Sequence, residues 1–302
     1  MKKSIKTSFG SILLKELETV TIPDLPSQSI NLSLKSFLAD EHLQFNVISQ
    51  TKDYYLLSLA NRITTLPKYL TPKLAYFIGY FYGDGGLKNI EKSFKITGRF
   101  DHKFKIADEF LVQIKQIKFL FEHLFGLEIP VRFERIHKGE RTHYIEMTNK
   151  IIYLFLTKVF GLPCGKKDNK LNTPQIITNS STELQQWFLR GLFDADGDTR
   201  AVEAGFKSQS RVKIRMKQLH FISELKPFIE SVFKVSVNGP YFDSEGDSAY
   251  IQVERQADII KLSGLNLFIH PIKKWRLKKT REFLLKRKNL KVIAAETITM
   301  GT

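Results

Sequence analysis

The chain alternates between stretches in which apolar residues recur at helical spacing and stretches in which they alternate with polar ones. One helical stretch is expected to start at Thr71, a good N-cap, with Pro72 in the first helical position, and to end near Gly83. A second is expected to start at Ser180, which stands in capping-box spacing with Glu183, and to run to Ala195. Each predicted helix therefore has its own start signal.

The same order of elements follows both helices. Polar, β-compatible stretches come next, at 94–99 in the first half and at 206–209 and 212–215 in the second. A helix then carries apolar residues at Ala107, Phe110, Leu111, Ile114, Ile117, Leu120, Phe121 and Leu124, or at Leu219, Ile222, Leu225, Ile229 and Val232.

A hairpin and a last helix close each half. The hairpins turn near Gly139 and Gly246, and the last helices lie at 151–160 and 257–262. Each half is predicted as helix, two strands, helix, two strands, helix, so the fold class is α+β with one αββαββα unit used twice.

The two leading helices share a pattern of small residues followed by an acid. Gly79 and Gly83, like Gly191 and Ala195, lie four residues apart and so share one helix face, along which a partner backbone can approach closely. Packing these helices together would bring Asp84 and Asp196 side by side, and their repulsion is tolerable only if hard divalent cations bridge them. That arrangement describes a two-metal site suited to cutting a phosphodiester.

With these two nine-residue motifs, 77–85 and 189–197, the sequence resembles the LAGLIDADG homing endonucleases in their single-chain form. The resemblance covers roughly residues 66 to 285. It implies that the acid in the eighth motif position binds the catalytic metal, a role that falls on Asp84 and Asp196, with the carbonyls of Gly83 and Ala195 contributing. The sixth position is Tyr82 in the first motif, where it departs from the family pattern, and Asp194 in the second.

The resemblance also implies a lysine beside the scissile phosphate in each half. It transfers this role to one member of each of two pairs, Lys166 with Lys167 and Lys273 with Lys274. Lys166 and Lys273 are the residues predicted to act in catalysis, and an ammonium suits the charge that cleavage builds on phosphoryl and leaving oxygens. Gln209 is placed where it could orient the attacking water.

The two sheets are expected to curve into a saddle for DNA, with basic side chains facing outward. The alternative is a solvated polar face that binds nothing. The residues predicted to contact DNA are Lys95, Arg99, Arg132, Arg135, Lys167, Lys207, Lys213, Arg215 and Lys274.

Charge supports a polyanionic partner. The chain of 302 residues has 47 Lys plus Arg against 31 Asp plus Glu, a formal net charge of +16. Its one cysteine excludes internal disulfides, and no apolar run approaches the roughly 18 residues that span a bilayer. These features predict an intracellular protein, in the cytoplasm or an organelle matrix, with no membrane partner.

The predicted organisation has three parts. Residues 1–66 form an N-terminal extension with a hairpin at 45–48 and 54–59, residues 67–170 the first motif-bearing half, and residues 171–302 the second half with a basic C-terminal helix. The extension is an accessory DNA-binding arm, a remnant of a host protein such as an intein, or a packing extension, and the sequence does not choose among these.

The leading hypothesis is a monomeric, site-specific endonuclease that makes a staggered double-strand break in a long asymmetric DNA target. Magnesium is the expected ion because carboxylates and phosphate oxygens are hard ligands, and manganese is expected to substitute for it. The first alternative is an RNA maturase that helps an intron fold, with intron RNA as its partner. The second is a DNA-binding regulator with a silent site.

Overall fold

A computed structural model describes residues 22–23, 30–32, 34–38, 45–59, 62–91, 100–135, 141–167, 170–199, 210–244 and 246–299. The N-terminal elements are β1 (Ile30–Asn31), α1 (Lys35–Leu38), β2 (Asn46–Gln50), β3 (Tyr54–Leu59), β4 (Arg62–Pro67) and β5 (Tyr69–Leu70).

Two halves with the same order of elements follow, as predicted. The first consists of α2 (Pro72–Asp84), β6 (Gly85–Glu91), β7 (Phe100–Asp108), α3 (Leu111–Phe125), β8 (Val131–Arg135), β9 (Arg141–Thr148) and α4 (Lys150–Leu154), which continues as a π-helical turn over Phe155–Val159. The short helix α5 (Gln175–Thr178) leads into the second half. That half consists of α6 (Thr182–Asp196), β10 (Gly197–Thr199), β11 (Val212–Met216), α7 (Leu219–Phe233), β12 (Asn238–Phe242), β13 (Ala249–Val253) and α8 (Gln256–Gly264), followed by the long helix α9 (Pro271–Thr299).

Each half contains a four-stranded antiparallel sheet of identical topology. The strand orders are β6-β7-β9-β8 and β10-β11-β13-β12. Gly85 pairs with Ile106 and Gly197 with Ile214, so each sheet starts at the glycine directly after the motif acid. One face of each sheet contributes buried isoleucines to a core shared with the helices, including Ile106 and Ile214. The opposite face carries the polar residues that alternate with them.

The N-terminal sheet packs on the first half. β2, β3 and β4 form an antiparallel sheet, which confirms the hairpin predicted there and adds a third strand, β4, that was not predicted. Asn149 donates a side-chain hydrogen bond to Thr64 at 3.0 Å, and the Arg62 guanidinium donates to the carbonyl of Thr148. The predicted boundary between residues 66 and 67 falls within β4.

Three local predictions were wrong. Ala107 belongs to β7 and Phe110 precedes α3, because the ladder between β7 and β9 continues to the pair Asp108–His143 and holds this segment extended. Helix α6 is capped by Ser181, one residue later than predicted, and its hydroxyl accepts from the Leu184 N–H at 3.4 Å.

The strands predicted at 94–99 and 206–209 lie outside the described residues. Within the described part of the chain, no helix is long and apolar enough to cross a membrane.

The two motif helices, α2 and α6, pack against each other at their glycines. A Cβ added to Gly79 would lie 1.9 Å from the Phe188 carbonyl oxygen, and one added to Gly191 would lie 2.0 Å from that of Tyr76. Both distances are far inside van der Waals contact. The backbones therefore touch, and neither position accepts any side chain without separating the helices.

We expect Gly191→Ala to destabilise the protein by about 1–3 kcal/mol, since the new methyl group overpacks a backbone contact. Chemical denaturation of both proteins measures the difference. Gly264→Ala is the matched control, because nothing lies within 4 Å of a Cβ added at that helical glycine. Equal losses in the two variants would mean that close packing at Gly191 has no special role.

Candidate active site

The motif helices begin and end for local reasons. Thr71 caps α2 by accepting from the Leu74 N–H at 3.2 Å, and Pro72 takes the first helical position. Each helix ends at its acid because the next residue, Gly85 or Gly197, is already extended. A Cβ on Gly85 would lie 2.4 Å from the Phe81 ring, and one on Gly197 would lie 2.4 Å from the Phe193 carbonyl oxygen. The chain can therefore turn from helix into strand directly after Asp84 and Asp196.

The two acids meet where the helices end. A Cβ added to Gly83 would lie 2.3 Å from the Ala195 Cβ and 2.7 Å from the Asp196 Oδ2, so the Asp196 carboxylate rests against the backbone beside Asp84. Burial raises the pKa of the Asp84 carboxyl, and the charges of Asp196 and Asp108 raise it further. Burial also raises the pKa of Asp196. A buried pair of like charges of this kind is stabilised by a cation between or beside them.

A lysine lies against the end of each motif helix. The Lys167 ammonium donates to the carbonyls of Tyr82 at 2.6 Å and Gly83 at 2.5 Å. The Lys273 ammonium donates to the equivalent carbonyls of Asp194 at 2.6 Å and Ala195 at 2.8 Å. The carbonyls predicted to help bind metal thus accept lysine hydrogen bonds here. Burial lowers the pKa of Lys167 to about 8, and the charges of both acids oppose that shift.

These contacts show which member of each lysine pair lies against the helix end. Lys167, predicted only as a DNA contact, occupies the position that corresponds to Lys273. Lys166, predicted to act in catalysis, is exposed. Lys274 is half-buried in the first turn of α9. The sequence could not distinguish adjacent lysines, since only the loop path decides which one points inward.

The outward sheet faces carry matched lysine–tyrosine contacts. Lys213 lies 3.9 Å from the centre of the Tyr250 ring, and Lys105 lies 4.2 Å from that of Tyr144. The two lysines have the same register, since Lys105 pairs with Gly86 and Lys213 with Asp198, each just after a motif acid. Lys105 was not among the predicted contacts. Its equivalence to Lys213 follows from strand pairing.

Carboxylates accompany other cations on these faces. Arg215 is 3.5 Å from Asp243, while Lys103 and Arg132 lie 2.7 Å and 3.8 Å from Glu146. Arg135 belongs to β8. The other predicted site residues, Lys95, Arg99, Lys207 and Gln209, lie outside the described residues.

A buried polar group connects the halves beside the acids. Tyr80 on α2 donates to Asp108 Oδ2 at 2.5 Å, and the same carboxylate oxygen is 4.0 Å from His270 Nε2 in the second half. His270 Nδ1 accepts from the Ile272 N–H at 3.2 Å, so the neutral ring carries its proton on the nitrogen that faces Asp108. Burial lowers the pKa of His270 to about 3, which keeps the ring neutral. Sequence analysis missed all three residues, because their partners are distant in the chain.

The donor set suits a hard divalent ion. Within the described residues no group of three or more His, Cys, Asp and Glu side chains could hold a metal. Asp84 and Asp196 offer two carboxylates. Magnesium is commonly bound by one or two carboxylates together with water and substrate phosphate oxygens. The residues therefore fit an ion whose remaining ligands come from solvent and a phosphodiester.

Comparisons with known sequences give distant similarities. No family model matches the chain. It is 25% identical over 223 residues to a probable translation initiation factor IF-2 of Methanocaldococcus jannaschii, covering 72% of this chain and 16% of that protein. It is 27% identical over 161 residues to that organism's glutamine–fructose-6-phosphate aminotransferase, covering 53% of this chain and 13% of that protein. It is 28% identical over 158 residues to a ribonucleoside-diphosphate reductase subunit of Bacillus subtilis, covering 50% of this chain and 13% of that protein. The chain thus spans less than a fifth of the length of each relative.

Comparisons with solved structures show the fold. A lysine mutant of I-SmaMI is 15% identical, covers 76% of this chain and 95% of that chain, and gives a TM-score of 0.50. Variants of the homing endonuclease I-DmoI are 18% identical, cover 64% of this chain and 94% of that chain, and give a TM-score of 0.46. I-DmoI with DNA and Mn is 17% identical, covers 64% of this chain and 95% of that chain, and also gives a TM-score of 0.46. The chain shares the fold of I-SmaMI, two α+β halves joined at paired helices.

We expect Asp196→Asn to raise the melting temperature of the metal-free protein at pH 8. The folded pKa values of Asp84 and Asp196 lie above the unfolded value of about 3.9. Their favourable contribution is therefore complete below about pH 4 and is lost as pH rises through the folded values. Removing one charge should flatten this loss, and a gain of ~1 kcal/mol corresponds to about 2–4 °C.

Thermal melts from pH 5 to pH 8.5 in a chelator measure this difference. Asp247→Asn, at an exposed acid, is the control. Added Mg²⁺ should stabilise the wild type more than Asp196→Asn. Parallel pH curves for wild type and Asp196→Asn would show that the two acids do not repel each other.

Proposed function

We propose that the chain is a divalent-metal-dependent, site-specific DNA endonuclease that works as a monomer and makes a staggered double-strand break. One observation carries this proposal: two carboxylates meet at the ends of close-packed helices, and each helix end also holds a lysine from its own half. Acid and ammonium are thus present twice. Two such sets in one chain match the need to cut two strands.

Asp84 and Asp196 are the residues that would hold the ions. When bound, magnesium or manganese would lower the pKa of the attacking water and neutralise charge on the phosphoryl group. Lys167 and Lys273 lie beside both acids and would donate hydrogen bonds to the scissile phosphates in place of the helix carbonyls. Gln209 remains a candidate for orienting the water.

The sheet faces support a long and asymmetric target. Strands β7 and β11 have equivalent registers, yet on the outward face Ala107 in one corresponds to Arg215 in the other, counting from the matched pairs at Ile106 and Ile214. Lys105 and Lys213 pair with residues just after the motif acids, and Arg132 and Arg215 are exposed on the same sheets. Phosphate contacts would orient the duplex, and the differing side chains of the halves would read different bases.

The relatives support a self-contained unit. Their names describe initiation of translation, sugar amination and nucleotide reduction, and the shared segment is only 13% to 16% of their lengths. A segment common to proteins of such different activity is poorly suited to carry any one of them. We therefore propose that the shared segment is an endonuclease unit carried within other proteins.

The first test is cleavage of a randomised DNA library with Mg²⁺, followed by sequencing of the ends. The wild type should produce staggered ends at one consensus site. Asp84→Asn should retain binding and lose cleavage by about two orders of magnitude or more, because the metal's charge stabilisation is lost. Specific binding with no cleavage in Mg²⁺ or Mn²⁺ would instead indicate a regulator, and stimulated intron splicing without DNA cleavage a maturase.

The second test is electrostatic. Arg215→Ala should reduce the salt dependence of DNA affinity by about 0.9 in the log–log slope if Arg215 contacts one phosphate. A changed base preference at one position with little change in slope would indicate base reading. Lys115→Ala is the control, since Lys115 is exposed on α3, a helix that covers the opposite side of the sheet. Equal effects of the two changes would argue against the sheet face as the DNA surface.

A further inference from the structure

The sixth motif position differs in chemistry between the halves, although both residues are fully buried. It is Tyr82 on α2 and Asp194 on α6. Each residue's carbonyl accepts a hydrogen bond from the lysine of its own half, Lys167 or Lys273. Both residues therefore touch the active-site lysine through their backbone.

The side chains of the same two residues hold the segments that lead to those lysines. The Tyr82 hydroxyl donates to the Phe160 carbonyl at 2.6 Å, at the start of the loop that reaches Lys167. The Asp194 carboxylate accepts from the N–H of Ile269 at 3.0 Å and of His270 at 2.9 Å, one turn before Lys273. A phenol and a carboxylate thus make the same connection, one as donor to a carbonyl and the other as acceptor from backbone amides.

In each half, the residue on the partner helix that faces the sixth motif position suits the side chain found there. Tyr76 on α2 donates to Asp194 Oδ2 at 2.7 Å and itself accepts from Gln113 at 3.1 Å, so the buried carboxylate has a third donor. The position equivalent to Tyr76 on α6 is Phe188, whose ring packs edge-on against Tyr82 with centroids 5.5 Å apart. An aspartate facing Phe188 would lack this donor. The two choices therefore belong together across the interface.

We propose that Tyr82 and Asp194 are positioning residues, each fixing the backbone segment that leads to the active-site lysine of its half. We call the hydrogen bonds from each side chain to that segment a clamp, and Tyr76 extends the Asp194 clamp to the opposite helix. This inference rests on the proposed endonuclease function and assigns to each clamp one of the two strand cuts. The residues act through Lys167 and Lys273. A displacement of an acting group by ~1 Å can slow a reaction about 100-fold, so loosening one segment should affect one cut.

Strand-resolved cleavage tests the assignment. With a selected target labelled separately on each strand, single-turnover rates are measured for Tyr82→Phe, Asp194→Asn and Tyr76→Phe. Tyr82→Phe and Asp194→Asn should slow opposite strands by roughly 10- to 100-fold each. Tyr76→Phe should slow the same strand as Asp194→Asn, although Tyr76 lies on the same helix as Tyr82. It is also the mildest variant, since every backbone donor keeps its acceptor.

The matched control is Asp258→Asn. Asp258 is a buried second-half carboxylate that accepts from the Ser236 N–H at 3.0 Å and makes no hydrogen bond to the segment before Lys273. Any destabilisation it causes should slow both strands equally.

Hydrogen exchange gives a readout that needs no DNA. Tyr82→Phe should raise exchange in the peptide covering 160–167, whereas Asp194→Asn and Tyr76→Phe should raise it in the peptide covering 268–274. Equal slowing of both strands by all variants, or exchange that rises in both peptides together, would overturn the clamp. A wild type that cuts neither strand, with peptide-specific exchange intact, would instead overturn the proposed function.

Discussion

The backbone contact between the motif helices is the constraint on which the rest of the molecule depends. At Gly79 and Gly191 each helix touches a carbonyl of the other with no side chain between them. That contact fixes both the separation of the halves and the place where the helices end. Because the backbone passes from each motif helix into its sheet directly after the acid, the same contact also sets where both sheets begin.

Repulsion between the carboxylates of Asp84 and Asp196 follows from the close packing of the motif helices. Two carboxylates that could each be hydrated on a looser structure are held together in a partly dry site, and the pKa values of both are raised. Lys167 and Lys273 offset part of the repulsion, and their ammonium groups are themselves retained by helix carbonyls. A site of this kind is prepared for a cation and for a ligand with anionic oxygens, since either would replace contacts that the protein makes only with itself.

The halves repeat a topology without repeating its chemistry. Strand order and register agree, and the lysine–tyrosine contacts recur. The buried interface nevertheless uses a phenol–carboxylate pair on one side and two aromatic rings on the other. Such differences are accessible once the halves are parts of one chain, because each residue then needs to suit only one partner.

The sequence by itself determined the two helices, their small-residue faces, the acids that end them and the order of helices and strands along the chain. These features depend on local periodicity, caps and glycines, which can be read within a few residues. Only the tertiary structure decided that β7 extends through Ala107, that Lys167 rather than Lys166 faces the helix end, and that Tyr80, Asp108 and His270 meet. Each of these depends on partners distant in the chain, either a strand ladder, a loop path or a contact between halves. Local patterns carry no record of such partners.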